Sequence, residues 1–143
     1  MTRRRWGRVL GLLCLVAAGA VLSGQSPRTV WDGVYTDEQA TRGEALYRTH
    51  CAECHAEALT GQEQAPALLG VSFNSTWEGA PLSDLFERMR TSMPEDQPGT
   101  LSRQQNADIL AHMLRTAEFP SGGTPLSGDA RLLARILYTT LRP

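Results

Sequence analysis

Cys51, Ala52, Glu53, Cys54 and His55 place two thiols three positions apart, with an imidazole directly after the second. Thiols at that spacing can each add across one of the two vinyl groups of a porphyrin, and the adjoining ring then reaches the iron as its proximal ligand. C-x-x-C-H is the attachment signature of c-type haem, so the run names one covalently held haem c as the cofactor. Two other chemistries use similar spacing. A redox dithiol needs a strand before it inside a βαβ unit, and nothing strand-like precedes Cys51. A zinc site needs two further Cys or His at ligand spacing; Cys14 lies in an apolar N-terminal run, and His50 and His112 make no second pair.

A haem held by one histidine is either open on its far side, where it binds gases or peroxide, or closed by a second side chain. The candidates are Met89, Met93, Met113, His50 and His112. His50 adjoins Cys51, and the tether that sets His55 beneath the iron keeps His50 from the opposite face. Met89 and Met113 fall on apolar helical stripes, where methionine is ordinary core filler. Met93 stands beyond its helix on a turn stiffened by Pro94, and it is the predicted second axial ligand. With His55 and Met93 the iron is saturated, which favours electron transfer; without Met93 a haem sensor or peroxidase is the alternative.

The elements that must hold these groups read as helices. Thr36 with Gln39 fits a capping box, Asp37 and Glu38 suit the positive end of a helix dipole, and Ala40, Gly43, Leu46 and Tyr47 share a face, predicting a helix to about residue 50. Gly61, Pro66 and Gly70 then break the chain into a loop over one haem edge. Leu82, Leu85, Phe86 and Met89 recur at i, i+3, i+4 and i+7, an amphipathic helix over residues 81–91. Ser102 with Gln105 is a second capping box, opening a helix to about residue 115 striped by Ile109, Leu110, Met113 and Leu114. Residues 119–125 have a linker's composition. Ser127 then caps a last amphipathic helix with Leu133, Ile136, Leu137 and Leu141 near one face, a stripe that either folds back on the haem domain or meets a partner. No alternating apolar pattern bounded by turns occurs, so the fold class is all-α, about three main helices around one haem plus an extra C-terminal helix.

At 143 residues the chain suits one small domain plus an export signal. Arg3, Arg4, Arg5 and Arg8 precede an uncharged run over residues 9–22 that ends in Ser23 and Gly24. As a helix that run would reach about 21 Å, short of a bilayer's roughly 30 Å, so a cleaved signal peptide over residues 1–24 is expected, with membrane attachment only if it is retained. Cleavage removes four arginines and leaves ten against fifteen acidic residues, a formal charge of −5. No lysine occurs anywhere, and a basic nucleic-acid footprint is absent. Cys14 leaves with the signal, so the export compartment, the periplasm, holds a chain with no structural disulfide. The chain thus divides into the signal, an irregular lead-in over 25–35, a haem domain over 36–119, and a linker with the last helix over 120–143.

These residues together resemble a class I cytochrome c over roughly residues 36–116. Gly43 and Tyr47 stand eight and four positions before Cys51, as in that family's first helix, and Met93-Pro94 matches its axial methionine loop. The resemblance implies that the Pro66 carbonyl receives the Nδ1–H of His55 and so orients it. An aromatic residue usually stands where this chain has His112, crossing the first helix over its glycine. The lead-in Trp31-Asp32-Gly33-Val34-Tyr35-Thr36 and the run Leu101-Ser102-Arg103-Gln104-Gln105 are similar to small cytochromes found beside periplasmic quinoprotein dehydrogenases. That likeness implies a dehydrogenase as electron donor and an oxidase or another cytochrome as acceptor, with a fixed subunit of a larger complex as the alternative.

Overall fold

The computed structural model describes residues 27–63 and 65–142; the expected signal peptide lies outside them. In chain order the elements are β1 (Arg28–Thr29), a 3₁₀ turn (Val30–Asp32), α1 (Asp37–His50), α2 (Ala52–His55), α3 (Gly70–Trp77), α4 (Leu82–Ser92), α5 (Arg103–Thr116), α6 (Ala130–Leu133) and β2 (Ile136–Leu137). The fold is helical, as its sequence pattern requires, with β1 and β2 forming one short parallel pair. Among the described residues no helix is long and apolar enough to cross a membrane.

α1 begins at Thr36, whose hydroxyl accepts the Gln39 N–H at 3.2 Å. The return arm of the predicted capping box does not form, because Gln39 is fully buried and spends its amide elsewhere. Its Nε2 donates to the Leu126 carbonyl at 2.9 Å and its Oε1 accepts the Leu126 N–H at 2.6 Å. At α5 the box is complete: the Gln105 N–H reaches the Ser102 hydroxyl at 3.2 Å, and the Ser102 N–H reaches Gln105 Oε1 at 2.9 Å. α1 and α5 cross backbone to backbone. A Cβ on Gly43 would lie 1.7 Å from the Asp108 carbonyl oxygen, so only glycine admits the crossing. The crossing is laced at its rim by Arg42 on Asp108 at 3.1 Å and Arg115 on Glu44 at 2.7 Å.

Two expectations are corrected. The stretch from Gly61 to Gly70 is a loop as predicted, but the chain then forms α3, which the sequence reading missed; Phe73 anchors it in the core and stacks obliquely with Trp77 at 6.2 Å. The last helix is one turn, α6, and its cap is Asp129, which accepts the Arg131 N–H at 2.9 Å, while the Ser127 hydroxyl accepts the Asp129 N–H. The run Ile136-Leu137-Tyr138-Thr139-Thr140 is rich in β-branched and aromatic residues, which favour extended chain, and it takes that form. Ile136 and Leu137 pair with β1, Tyr138 exchanges backbone hydrogen bonds with Gly79 and Ala80, and Leu141 is left 76% exposed.

This tail folds back. Leu126, Leu133, Ile136 and Tyr138 are buried in the same core as Val30, Tyr35 and Phe86. Residues with a linker's composition are clamped to the lead-in: the Tyr35 hydroxyl donates to the Phe119 carbonyl at 2.6 Å, and the Gly122 N–H donates to Tyr35 O at 2.7 Å. The Trp31 indole N–H donates to Thr139 O at 3.0 Å.

Candidate functional site

Cys51 closes α1, its N–H on the Tyr47 carbonyl at 2.8 Å, and opens the single turn α2 that carries Cys54 and His55. The His55 N–H returns to Cys51 O at 2.9 Å, which holds the run as one compact turn. Cys51 is half-buried and Cys54 exposed, and both thiols are free. Burial, with the neighbouring Cys54 adding to it, pushes the Cys51 thiol up to about 11. Among the described residues no cluster of three or more His, Cys, Asp or Glu could hold a metal ion.

His55 is buried, 8% exposed, with Nδ1 2.8 Å from the Pro66 carbonyl oxygen. A carbonyl only accepts, so Nδ1 carries a proton, and in the neutral imidazole Nε2 is then the nitrogen with the lone pair. The loop that delivers Pro66 is set by Gly61, in left-handed backbone at φ 74°, where a Cβ would meet Ala65 O and Ala67 N at 2.6 Å. Gly61 N–H reaches His55 O, and Leu68 N–H reaches the carbonyl of fully buried Leu59. The Tyr47 hydroxyl donates to Ala56 O at 2.7 Å and joins α1 to the same loop.

Cys51, Cys54, His55, Pro66 and Met93 all line one cavity of about 1610 Å³. Its walls include Leu68 from the loop, Phe73 and Trp77 from α3, Leu85 and Met89 from α4, and Ile109 and Met113 from α5. The volume exceeds the roughly 300–1,000 Å³ of ordinary small-molecule pockets, and the lining joins these apolar walls to two thiols, the His50 and His55 imidazoles and several charged side chains. A flat, apolar macrocycle that adds to thiols and takes a nitrogen donor fits that set. Met93 follows α4 directly, its N–H on Met89 O at 2.9 Å, and is half-buried.

The remaining axial candidates separate. His50, Met89 and Met113 also line the cavity, whereas His112 does not; it is buried against the Tyr47 ring at 5.3 Å in the α1–α5 crossing. The backbone of Asp108 is what lies nearest Gly43 at the crossing. Phe73, Trp77 and Arg88 are cavity residues that sequence reasoning missed, and the i, i+4 spacing of Phe73 and Trp77 was the signal for the first two.

A family model described as cytochrome c oxidase, cbb3-type, subunit III matches residues 38–113. The cytochrome bc1 complex cytochrome c subunit of Corynebacterium efficiens is 31% identical over 107 residues, an alignment covering 68% of this chain and 33% of that protein. This chain therefore spans about a third of the length of that relative. In fold the chain is similar to a chain in the crystal structure of the sulfane dehydrogenase SoxCD from Paracoccus pantotrophus. The TM-score is 0.50 at 20% identity, over 75% of this chain and 61% of that one.

Proposed function

This chain belongs to the family of cytochrome c domains described by cbb3-type oxidase subunit III, haem-binding electron-transfer proteins, and from that premise we propose an exported monohaem carrier of single electrons. Haem c, bound covalently, is its cofactor and supplies one-electron exchange between ferric and ferrous iron. In this reading Cys51 and Cys54 form the two thioethers, His55 Nε2 and the Met93 thioether are the axial ligands, and Pro66 fixes the His55 ring through Nδ1–H. The observation that carries it is the convergence of those five residues on one cavity with the His55 tautomer already set. A thioether opposite histidine raises the reduction potential relative to two histidines, and ligands held in place by the fold keep reorganisation small.

The donor in this reading is a dehydrogenase, of quinoprotein type, and the acceptor an oxidase or another cytochrome. The compartment is the periplasm after removal of residues 1–24; residues 36–119 carry the haem and 120–143 complete the core around it. The formal charge of −5 fits partners with a basic patch, so encounter rates are expected to fall as ionic strength rises. A second reading, a haem subunit fixed in a larger complex, is favoured by the matched relatives, one named as a complex subunit and the other as part of a dehydrogenase.

Haem staining of denatured protein, then a spectrum of the oxidised form, tests the proposal. Retained stain and a far-red methionine-to-iron band are expected, with no carbon monoxide bound by the ferrous protein at neutral pH. Ready carbon monoxide binding would sink the carrier reading in favour of an open-site sensor or peroxidase. Met93→His is expected to lower the potential, and an unchanged potential would remove Met93 from the iron.

A further inference from the structure

α4 turns Leu85, Arg88 and Met89 towards the cavity, positions i, i+3 and i+4 of one face. Leu85 is buried and Met89 half-buried, whereas Arg88 between them is exposed and brings a charge to the cavity lining. The other arginines of α1, α4 and α5 are engaged: Arg42 on Asp108, Arg48 on Glu44 and Glu57, Arg90 and Arg103 on Glu87, Arg115 on Glu44. Arg88 has no carboxylate partner among the described residues. Glu53, Glu63, Glu95 and Asp96 line the same cavity, as does His50, and none of them pairs with it.

Haem brings two carboxylates of its own, the propionates, and a carboxylate drawn from water into a protein cavity is costly unless it is paired. Arg88 is the cavity's one permanently charged cation among the described residues. We propose that Arg88 is a positioning residue that pairs with a haem propionate. The proposal rests on the haem reading above. Its planar guanidinium matches a carboxylate, and its position on α4 leaves it without a carboxylate partner among the described residues. Two consequences follow. Neutralising a negative charge near the iron favours the reduced state, and a propionate held ionised by Arg88 does not take up a proton near neutral pH.

The test is a redox titration of full-length holoprotein from about pH 5 to pH 9, in wild type, Arg88→Gln and Arg88→Lys. Arg88→Gln is expected to shift the oxidation equilibrium about tenfold towards the ferric form, about 59 mV for one electron, and to make the potential depend on pH where the wild type's does not. Arg88→Lys, which keeps the charge, is expected to shift it less than about threefold. An Arg88→Gln protein that stains for haem yet matches wild type at every pH overturns the proposal, and so does a lysine variant as impaired as the glutamine one. A third background, Glu95→Gln with Asp96→Asn, separates the two carboxylate sources. The same fall on adding Arg88→Gln is expected there, and its disappearance would assign Arg88 to the loop carboxylates instead. Wild-type protein that does not stain for haem would remove the underlying reading itself, a result distinct from all of these.

Discussion

Gly43 lets α1 and α5 meet backbone against backbone, whereas His55, α3, α4 and Met93 line a cavity of about 1610 Å³. On the first side every contact is made by the chain itself. Asp108, 4% exposed, is answered by Arg42 and Gln104, and the tail locks in through Gln39, Tyr35 and Trp31. On the second side α3 and α4 also reach the core through Phe73 and Phe86, but their cavity faces are walls and donors that a bound haem would join. The two share elements, since α1 gives Tyr47 and α5 gives Ile109 and Met113 to the cavity wall, but the crossing is closed by protein while the cavity is shaped for haem.

Removing the tail strikes the protein-closed half hardest. Truncation after Thr124 exposes the sites of Leu126, Leu133, Ile136 and Tyr138, all buried. At about 1.5–3 kcal/mol for each large side chain, the loss is comparable to the roughly 5–15 kcal/mol that holds a whole domain together. Circular dichroism on heating is expected to show no cooperative transition. A truncated chain that melts like the full one, yet no longer accepts electrons from its donor, would make the tail a docking element and erase its place in the core.

Removing the cofactor should strike only the other half. In Cys51→Ala with Cys54→Ala, amides of α1 and α5 are expected to keep their hydrogen-exchange protection. Those of residues 65–77 and 88–97 are expected to exchange about a hundredfold faster, roughly 2.8 kcal/mol of local stability. Uniform acceleration across both sets would show that the two halves are one cooperative unit and would end the comparison.

How legible each half was follows the same divide. Helix periodicity, the Ser102–Gln105 box and Gly43 announced α1, α4 and α5, because in those stretches local pattern and tertiary packing agree. The haem attachment run was legible because covalent chemistry tolerates one spacing. α3 was not, since Gly70, Ser72, Asn74, Ser75 and Thr76 are weak helix formers and its ties to the core, through Phe73, Trp77 and the Asn74 acceptor for Tyr138, are tertiary. Gln39 looked like half of a cap, and its true partner lies 87 positions away at Leu126. Ile136 and Leu137 carried a helical stripe, but strand pairing to β1 decided their form. Arg88 went unremarked, because only the folded cavity shows which face of α4 borders it.

A methyl group sharpens the contrast with less force than either deletion. In Gly43→Ala the new Cβ would overlap the Asp108 carbonyl at 1.7 Å and its carbon at 2.4 Å, and both are backbone, so the helices must part. A loss of about 3 kcal/mol, the upper end of core overpacking, is expected as a lower urea midpoint at unchanged slope. Below the transition the haem spectrum should match wild type, since the cavity donors stand on α2 and the Met93 turn. A spectrum altered in native buffer would mean that the crossing and the cavity are mechanically coupled.

The smallest effect lies at His112, on the protein-closed side beside Tyr47. Its Nδ1 is buried with no hydrogen-bond partner. Burial first, then the positive charges of Arg115 and Arg48 against the opposing Glu44, hold its pKa below the usual 6.5. The folded chain thus resists a proton that the unfolded chain binds. Stability is full above about pH 6.5 and is lost as pH falls from there through the lowered folded value. His112→Phe has neither an orphaned nitrogen nor a proton to take. It is expected to be more stable than wild type by about 1 kcal/mol near pH 8, the scale of one unpaired buried polar atom. The gap should widen as urea titrations move to about pH 5, because only wild type then carries the protonation cost. A gap that stays flat across that range would mean that His112 titrates alike folded and unfolded, and that the crossing is open enough for water to reach its inner nitrogen.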